Sequence, residues 1–151
     1  QGVAGVFLAP LEHATDKDAV NDAAITLLSE AGVPVVLVDA DIAPFPRRSS
    51  FDLVGVDNRQ VGYRLTEHLL AQGHTRLAFV TRTGSATTVD ARLAGHVDGL
   101  RTGGQARVFT TEAVDRAFAA TLLASSGADA FICANDKIAA DLVEHFTALG
   151  V

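Results

Sequence analysis

The chain has 151 residues, is 48% hydrophobic and carries a net charge of −6. That is one domain's worth of chain, or two small lobes, and too apolar for disorder. With Arg47-Arg48 as its only basic doublet, it excludes DNA binding by this chain alone, because nucleic-acid affinity comes largely from clustered Lys and Arg on phosphates.

Apolar periodicity alternates between strand and helix along the whole chain. Val3–Leu8 is a short apolar strand that the chain enters at once, so an N-terminal portion is expected to precede Gln1. Asp18–Ala31 is helical, with Val20, Ala24, Leu27, Leu28 and Ala31 on one face and Gly32 as its stop. Val33–Asp39 is a strand, and Pro34 suits its start. Ala40–Ser50 holds Pro44, Pro46, Arg47 and Arg48 and reads as a loop linking two lobes. Asp52–Val56 is a strand. Asp57 caps the next helix, with Gln60 at the capping-box position. Val61, Leu65 and Leu69 recur along that helix, and Gly73 ends it. Arg76–Val80 is a strand, and Thr81–Thr88 a loop rich in Gly, Ser and Thr. Asp90–Leu100 is helical, with Leu93, Val97 and Leu100 inward. Arg107–Phe109 is a strand, Thr111–Ser125 a helix, Ala130–Ala134 a strand and Asp136–Leu149 a helix. Strands alternating with helices of this length predict βαβ units and a parallel sheet. The strands are continuous apolar runs, as expected of strands covered on both faces.

Ligands of open α/β sheets sit outside the carboxyl ends of the strands. Those ends carry Asp39, Asp57-Asn58, the Thr81–Thr88 loop, Phe109-Thr110 and Asn135-Asp136. Carboxylates, amides and hydroxyls beside an aromatic suit a polar, neutral ligand such as a sugar. Each residue also has a plainer role. Asp39 can cap a turn, Asp57 and Asn135 can cap helices, and Phe109 can be core. Arg92 is read in the first turn of a helix, where the macrodipole disfavours a cation, which leaves a ligand contact or a surface ion pair. The five histidines, His13, His68, His74, His96 and His145, lack metal-ligand spacing, and no metal or cofactor is expected. Cys133 lies in an apolar run and reads as a small buried hydrophobe. A lone cysteine excludes internal disulfides. No apolar run reaches the roughly 20 residues of a membrane helix, and no signal peptide opens the chain. The nucleotide-binding, hydrolase and metalloprotease motifs are absent, and Gly103-Gly104 is an isolated turn.

Five segments in order carry a resemblance: VAGVFLAP, GVPVVLVDAD, VGVDNRQVGYRLTEHLLAQGHTRLAFV, DARLAGHVDGL and ADAFICANDKIAADLVEHFTALGV. Together they resemble the effector-binding region of LacI-type bacterial transcription regulators, which share the periplasmic sugar-binding-protein fold. The resemblance implies an α/β fold of the type I periplasmic-binding-protein kind, built of parallel βαβ units in two lobes and present in part. Residues 1–43 would form part of the first lobe, 44–50 the crossover and 51–151 most of the second. It implies effector contacts at Asp39 in the first lobe and at Arg92, Thr88 and Asn135 in the second. Asp57 would line the cleft or cap the helix behind it, and Phe109 would offer an aromatic platform. Relatives carry a DNA-binding head and further strand–helix units before this region, and a strand with another acidic ligand after it. The Arg101–Val108 connection is short for the family. Ala9 stands where some sugar-responsive members have a polar contact.

The expected function is effector sensing by a cytoplasmic, homodimeric regulator. A small polar effector, a sugar by this reading, binds between the lobes and changes operator binding by a head outside this chain. No catalysis and no membrane partner are expected. A sugar-binding protein of a transport system is the alternative on the same fold, and a doubly wound α/β enzyme acting on a sugar or nucleotide is the alternative from another class.

Overall fold

The computed structural model describes residues 2–12, 15–100 and 105–151. The Gly103-Gly104 turn, the start of the Arg101–Val108 connection and His13 lie outside the described residues. The described residues form six strands and five helices, alternating except where β3 follows β2 directly: β1 (Val6–Leu8), α1 (Lys17–Glu30), β2 (Val35–Val38), β3 (Asp52–Val54), α2 (Asn58–Ala71), β4 (Leu77–Arg82), α3 (Thr87–Gly99), β5 (Arg107–Thr111), α4 (Arg116–Ser125), β6 (Ala130–Cys133) and α5 (Asp136–Ala148). They form two three-stranded sheets, ordered β1-β2-β3 and β5-β4-β6, and every pairing is parallel.

The ladder corrects the expected boundary between lobes. Leu37 pairs with Leu53 and Val38 with Val54, so β3 belongs to the first sheet. The chain therefore crosses between sheets after Val54 and not within 44–50. A loop returning along Ala40–Ser50 brings β3 back beside β2, a pairing that apolar periodicity does not encode.

Two helix starts, those of α2 and α5, are legible in the sequence from the side chains that cap them. Asp57 Oδ1 accepts from the Gln60 amide at 2.9 Å and Asn135 Oδ1 from the Ile138 amide at 3.0 Å. Two starts differ from expectation. β5 continues through Thr111, and α4 begins only after Asp115, whose carboxylate accepts from the Phe118 amide at 2.8 Å. β4 runs on to Arg82, and α3 begins at Thr87 behind an extended Ala86. Arg92 consequently sits in the second turn of α3, beyond the reach of the dipole argument.

The core lies under the second sheet. Phe79 and Val80 of β4 meet Ile132 of β6, Ala119 and Leu122 of α4, and Ile138 and Leu142 of α5. Coverage on both faces holds for β4, which is buried from Leu77 to Thr81. It fails in the first sheet, where Phe7 is 74% exposed and Val54 62%. The predicted inward faces fail in part as well: Val20 and Leu27 of α1, Leu65 of α2 and Val97 of α3 are exposed. Periodicity marks an apolar stripe but does not say whether a neighbouring element is there to cover it.

The tightest packing joins α2 to α3. A Cβ on Gly62 would fall on the Arg92 carbonyl, and one on Gly95 on the Arg59 carbonyl. These glycines let the two backbones touch.

Candidate functional site

The carboxyl ends of β2 and β3 in one sheet face the start of α3, which follows β4 in the other. Between them lies a cavity of about 390 Å³. Asp39, Asp57 and Thr88, three of the predicted site residues, line it together. A second hollow of about 290 Å³, beside Leu11, Asn21 and Asp41, shares Asp41 and Thr87 with it. Asn21 is buried and clamps the loop after β1, accepting from the Leu11 amide and donating to the Leu11 carbonyl, both at 2.9 Å.

Asp39 enters the cavity from an unusual backbone. Its φ is +68°, in the left-handed region where Asn and Asp are the most tolerated side chains after glycine. Its amide donates to the Val54 carbonyl at 2.9 Å. Gly55 packs against it so closely that a Cβ there would lie 3.0 Å from Asp39 Cα. The turn out of β2 is thus fixed by the start of the segment that follows β3.

One wall is the loop after β2, contributing Phe45, Pro46, Arg47 and Arg48. Asp41 ties it shut. Its side chain is 8% exposed, accepts from the amides of Ala43 (2.9 Å) and Ser49 (3.2 Å), and pairs with Arg48 Nε at 3.0 Å. Burial opposes its ionisation, but the Ala43 and Ser49 hydrogen bonds and the Arg48 guanidinium outweigh it and hold the carboxyl below its ordinary value. From sequence this loop reads as a linker, and the Arg47-Arg48 doublet bears only on DNA. The signal for its place in the site is a cationic doublet set just after a strand-end carboxylate.

The charges lining the cavity mostly answer one another. Arg48 pairs with Asp41, and Arg59 Nε donates to Asp98 at 2.7 Å. Asp57 caps α2. No partner for the Arg47 or Asp39 side chains occurs among the described residues.

Arg92 and Asn135 are elsewhere. They line a groove of about 420 Å³ between α2 and the carboxyl end of β6. The half-buried Arg92 guanidinium donates from Nε to Asn58 Oδ1 at 2.7 Å and from Nη1 to the Ala134 carbonyl at 2.6 Å. It bridges the start of α2 to the end of β6 through Asn58, which is buried and itself lines the cavity. Asn135 has its Oδ1 engaged as the cap of α5. Phe109 packs half-buried against the core and lines neither space. Cys133 borders the groove, and burial pushes its thiol up to about 11, which keeps it protonated and unreactive. Among the described residues no helix is long and apolar enough to cross a membrane, and no cluster of His, Cys, Asp or Glu could hold a metal ion.

Residues 14–150 match the family of periplasmic binding proteins and sugar binding domain of LacI family. Over 82 residues, 53% of its length, the chain is 28% identical to the HTH-type transcriptional regulator MalR of Staphylococcus xylosus, of which the match covers 23%. A regulatory protein of the LacI family from Chloroflexus aggregans superposes with a TM-score of 0.76 at 20% identity, covering 99% of this chain and 53% of that one. A LacI family transcriptional regulator from Enterococcus faecium, solved with bound ribose, gives 0.67 at 24% identity, covering 98% and 54%. The chain thus spans about half the length of these solved relatives. Its parallel sheets, their order along the chain and the family match agree: this chain belongs to the family of periplasmic binding proteins and LacI-type sugar-binding domains, as an effector-binding domain with the type I fold.

Proposed function

We propose that the chain senses a monosaccharide-sized polyol, bound between its two sheets, for a transcription regulator whose DNA-binding head lies outside it. The observation that carries this reading is the cavity of about 390 Å³ with Asp39 on one side and Thr88 on the other. A volume in the range of small-molecule sites, with few polar groups converging from two separate sheets, suits a ligand whose hydroxyls bridge them. Asp39 accepts from hydroxyls, and Thr88 both donates and accepts. Asp57 lines the same space while capping α2. Arg92 and Asn135 hold the second sheet's edge, and Phe109 supports that edge from the core.

In this reading the chain turns over nothing. Effector binding favours one arrangement of the two sheets over another, and only that difference in affinity shifts the equilibrium. In an intact homodimer the shift would reach operator DNA through the heads.

The test is calorimetric titration of the intact protein with a panel of sugars and polyols. A binder is expected, and Asp39→Asn, which keeps a side chain tolerant of positive φ, should weaken it about tenfold, or about 1.4 kcal/mol. A panel with no binder removes the sensor reading, and unchanged affinity in the variant removes Asp39 from the site.

A further inference from the structure

Among the described residues the chain passes from the first sheet to the second once, through Gly55, Val56 and Asp57, between the end of β3 and the start of α2. All three line the cavity. No buried side chain holds this crossing in place: Val54 through Asp57 are exposed, Val56 to 62%. Residues free of packing keep two soft backbone dihedrals each, and a few such residues suffice for a hinge. The path of the crossing is therefore set by what grips it at each end.

At the first sheet the grip is Asp39, whose amide donates to the Val54 carbonyl and whose backbone lies against Gly55. At the second it is Asn58, only 6% exposed and the first buried residue after the crossing. Asn58 Nδ2 donates back to the Val56 carbonyl at 3.2 Å. Its Oδ1 accepts from Arg92 Nε at 2.7 Å, and Arg92 Nη1 donates to the Ala134 carbonyl at 2.6 Å. One line of hydrogen bonds thus runs from the crossing to the end of β6. The Asn58 amide can face only one way in it. Turned over, it would set N–H against guanidinium and oxygen against carbonyl. Arg92 is a firm anchor, because its backbone carbonyl lies against Gly62 of α2, where a Cβ would not fit.

We propose that Asn58 is a positioning residue for ligand sensing: anchored on β6 through Arg92, it sets the direction in which the crossing leaves the second sheet, and with it the separation of Asp39 and Thr88 across the cavity. This rests on the sensor reading above and supplies its route from occupancy to sheet arrangement. Asn58 itself lines the cavity. A ligand that engages its amide competes with the Val56 carbonyl and favours a different path for the crossing, which is the differential contact that a population shift requires.

Amide hydrogen exchange, followed by peptide mass spectrometry on the intact protein without ligand, tests the tether. Asn58→Asp keeps an acceptor for Arg92 but turns the donor facing the Val56 carbonyl into an oxygen. Asn58→Ala removes both bonds. In each variant the segment around Asp39, in the other sheet, should exchange about tenfold faster or more, while β4 in the second core keeps the parental rate. Parental exchange around Asp39 in either variant would overturn the proposal. An equal rise in β4 would mark a loss of overall stability and overturn it as well. These measurements contain no sugar, so they decide the tether whether or not the sugar panel yields a binder. A panel without one removes the sensor reading on its own.

Discussion

Arg92 is where residue chemistry and position part company. The family resemblance implies that it is an effector contact. In the fold, two of its nitrogens already hold Asn58 and the Ala134 carbonyl. Arg92→Ala should therefore cost stability first, about 1.5–3 kcal/mol for hydrogen bonds to a charged group, read as a lowered urea midpoint at unchanged slope. An unaltered midpoint would show the bridge to be dispensable. His96 shows a second residue-scale effect. It is fully buried, and its Nδ1 lies 2.8 Å from Thr66 Oγ1, whose only proton goes to the Gly62 carbonyl. Nδ1 therefore donates, and Nε2 is a buried lone pair with no partner among the described residues. Burial pushes the imidazole pKa below its ordinary value. The unfolded chain then binds a proton more readily than the folded one. Stability from this group is whole above pH ~6.5 and is lost as pH falls from there toward the folded value. Urea unfolding of the intact protein at pH 7.5 and pH 5 should show the loss, and His96→Gln should reduce it. An equal loss in the variant would assign the pH dependence to other groups.

At the scale of elements, the α2–α3 pair sets the geometry of both the cavity and the groove. Gly62 and Gly95 let each helix rest its backbone directly on a carbonyl of the other, and Gly99 packs on Thr66. Gly95→Ala should destabilise by about 1–3 kcal/mol or more, because backbone on the facing helix cannot step aside as a flexible side chain would. A thermal midpoint within a degree of the parent would contradict so close an approach. Since α2 carries Asn58 and α3 carries Thr88 and Arg92, the same variant should also weaken ligand binding. Most of these elements were legible in the sequence: the strand–helix alternation, the helix stops at Gly32 and Gly73, and the caps at Asp57 and Asn135. The starts of α3 and α4 were not, because β4 and β5 run two residues further as ladder partners than their apolar cores do, from Ala78 with Arg107 to Arg82 with Thr111. Cross-strand hydrogen bonds extended them, and a period counted within one segment does not register a partner.

At the scale of the whole molecule, the proposed mechanism predicts a change of shape. Saturating the intact protein with a binder from the panel should alter its small-angle scattering profile, as the two sheets settle into the arrangement that the ligand prefers. A profile identical with and without a bound ligand would argue against sheet rearrangement as the signal. The sequence by itself determined the α/β alternation, the parallel sheets, the family and the sheet edge on which polar residues gather, because those follow from local periodicity and from ordered segments along the chain. Only the tertiary structure decided that β3 returns to the first sheet. It also put Asp39, Thr88 and Arg47 around one cavity while Arg92 turned to brace its neighbours. Each of those outcomes depends on which backbones lie side by side, a relation between distant residues that no local pattern contains.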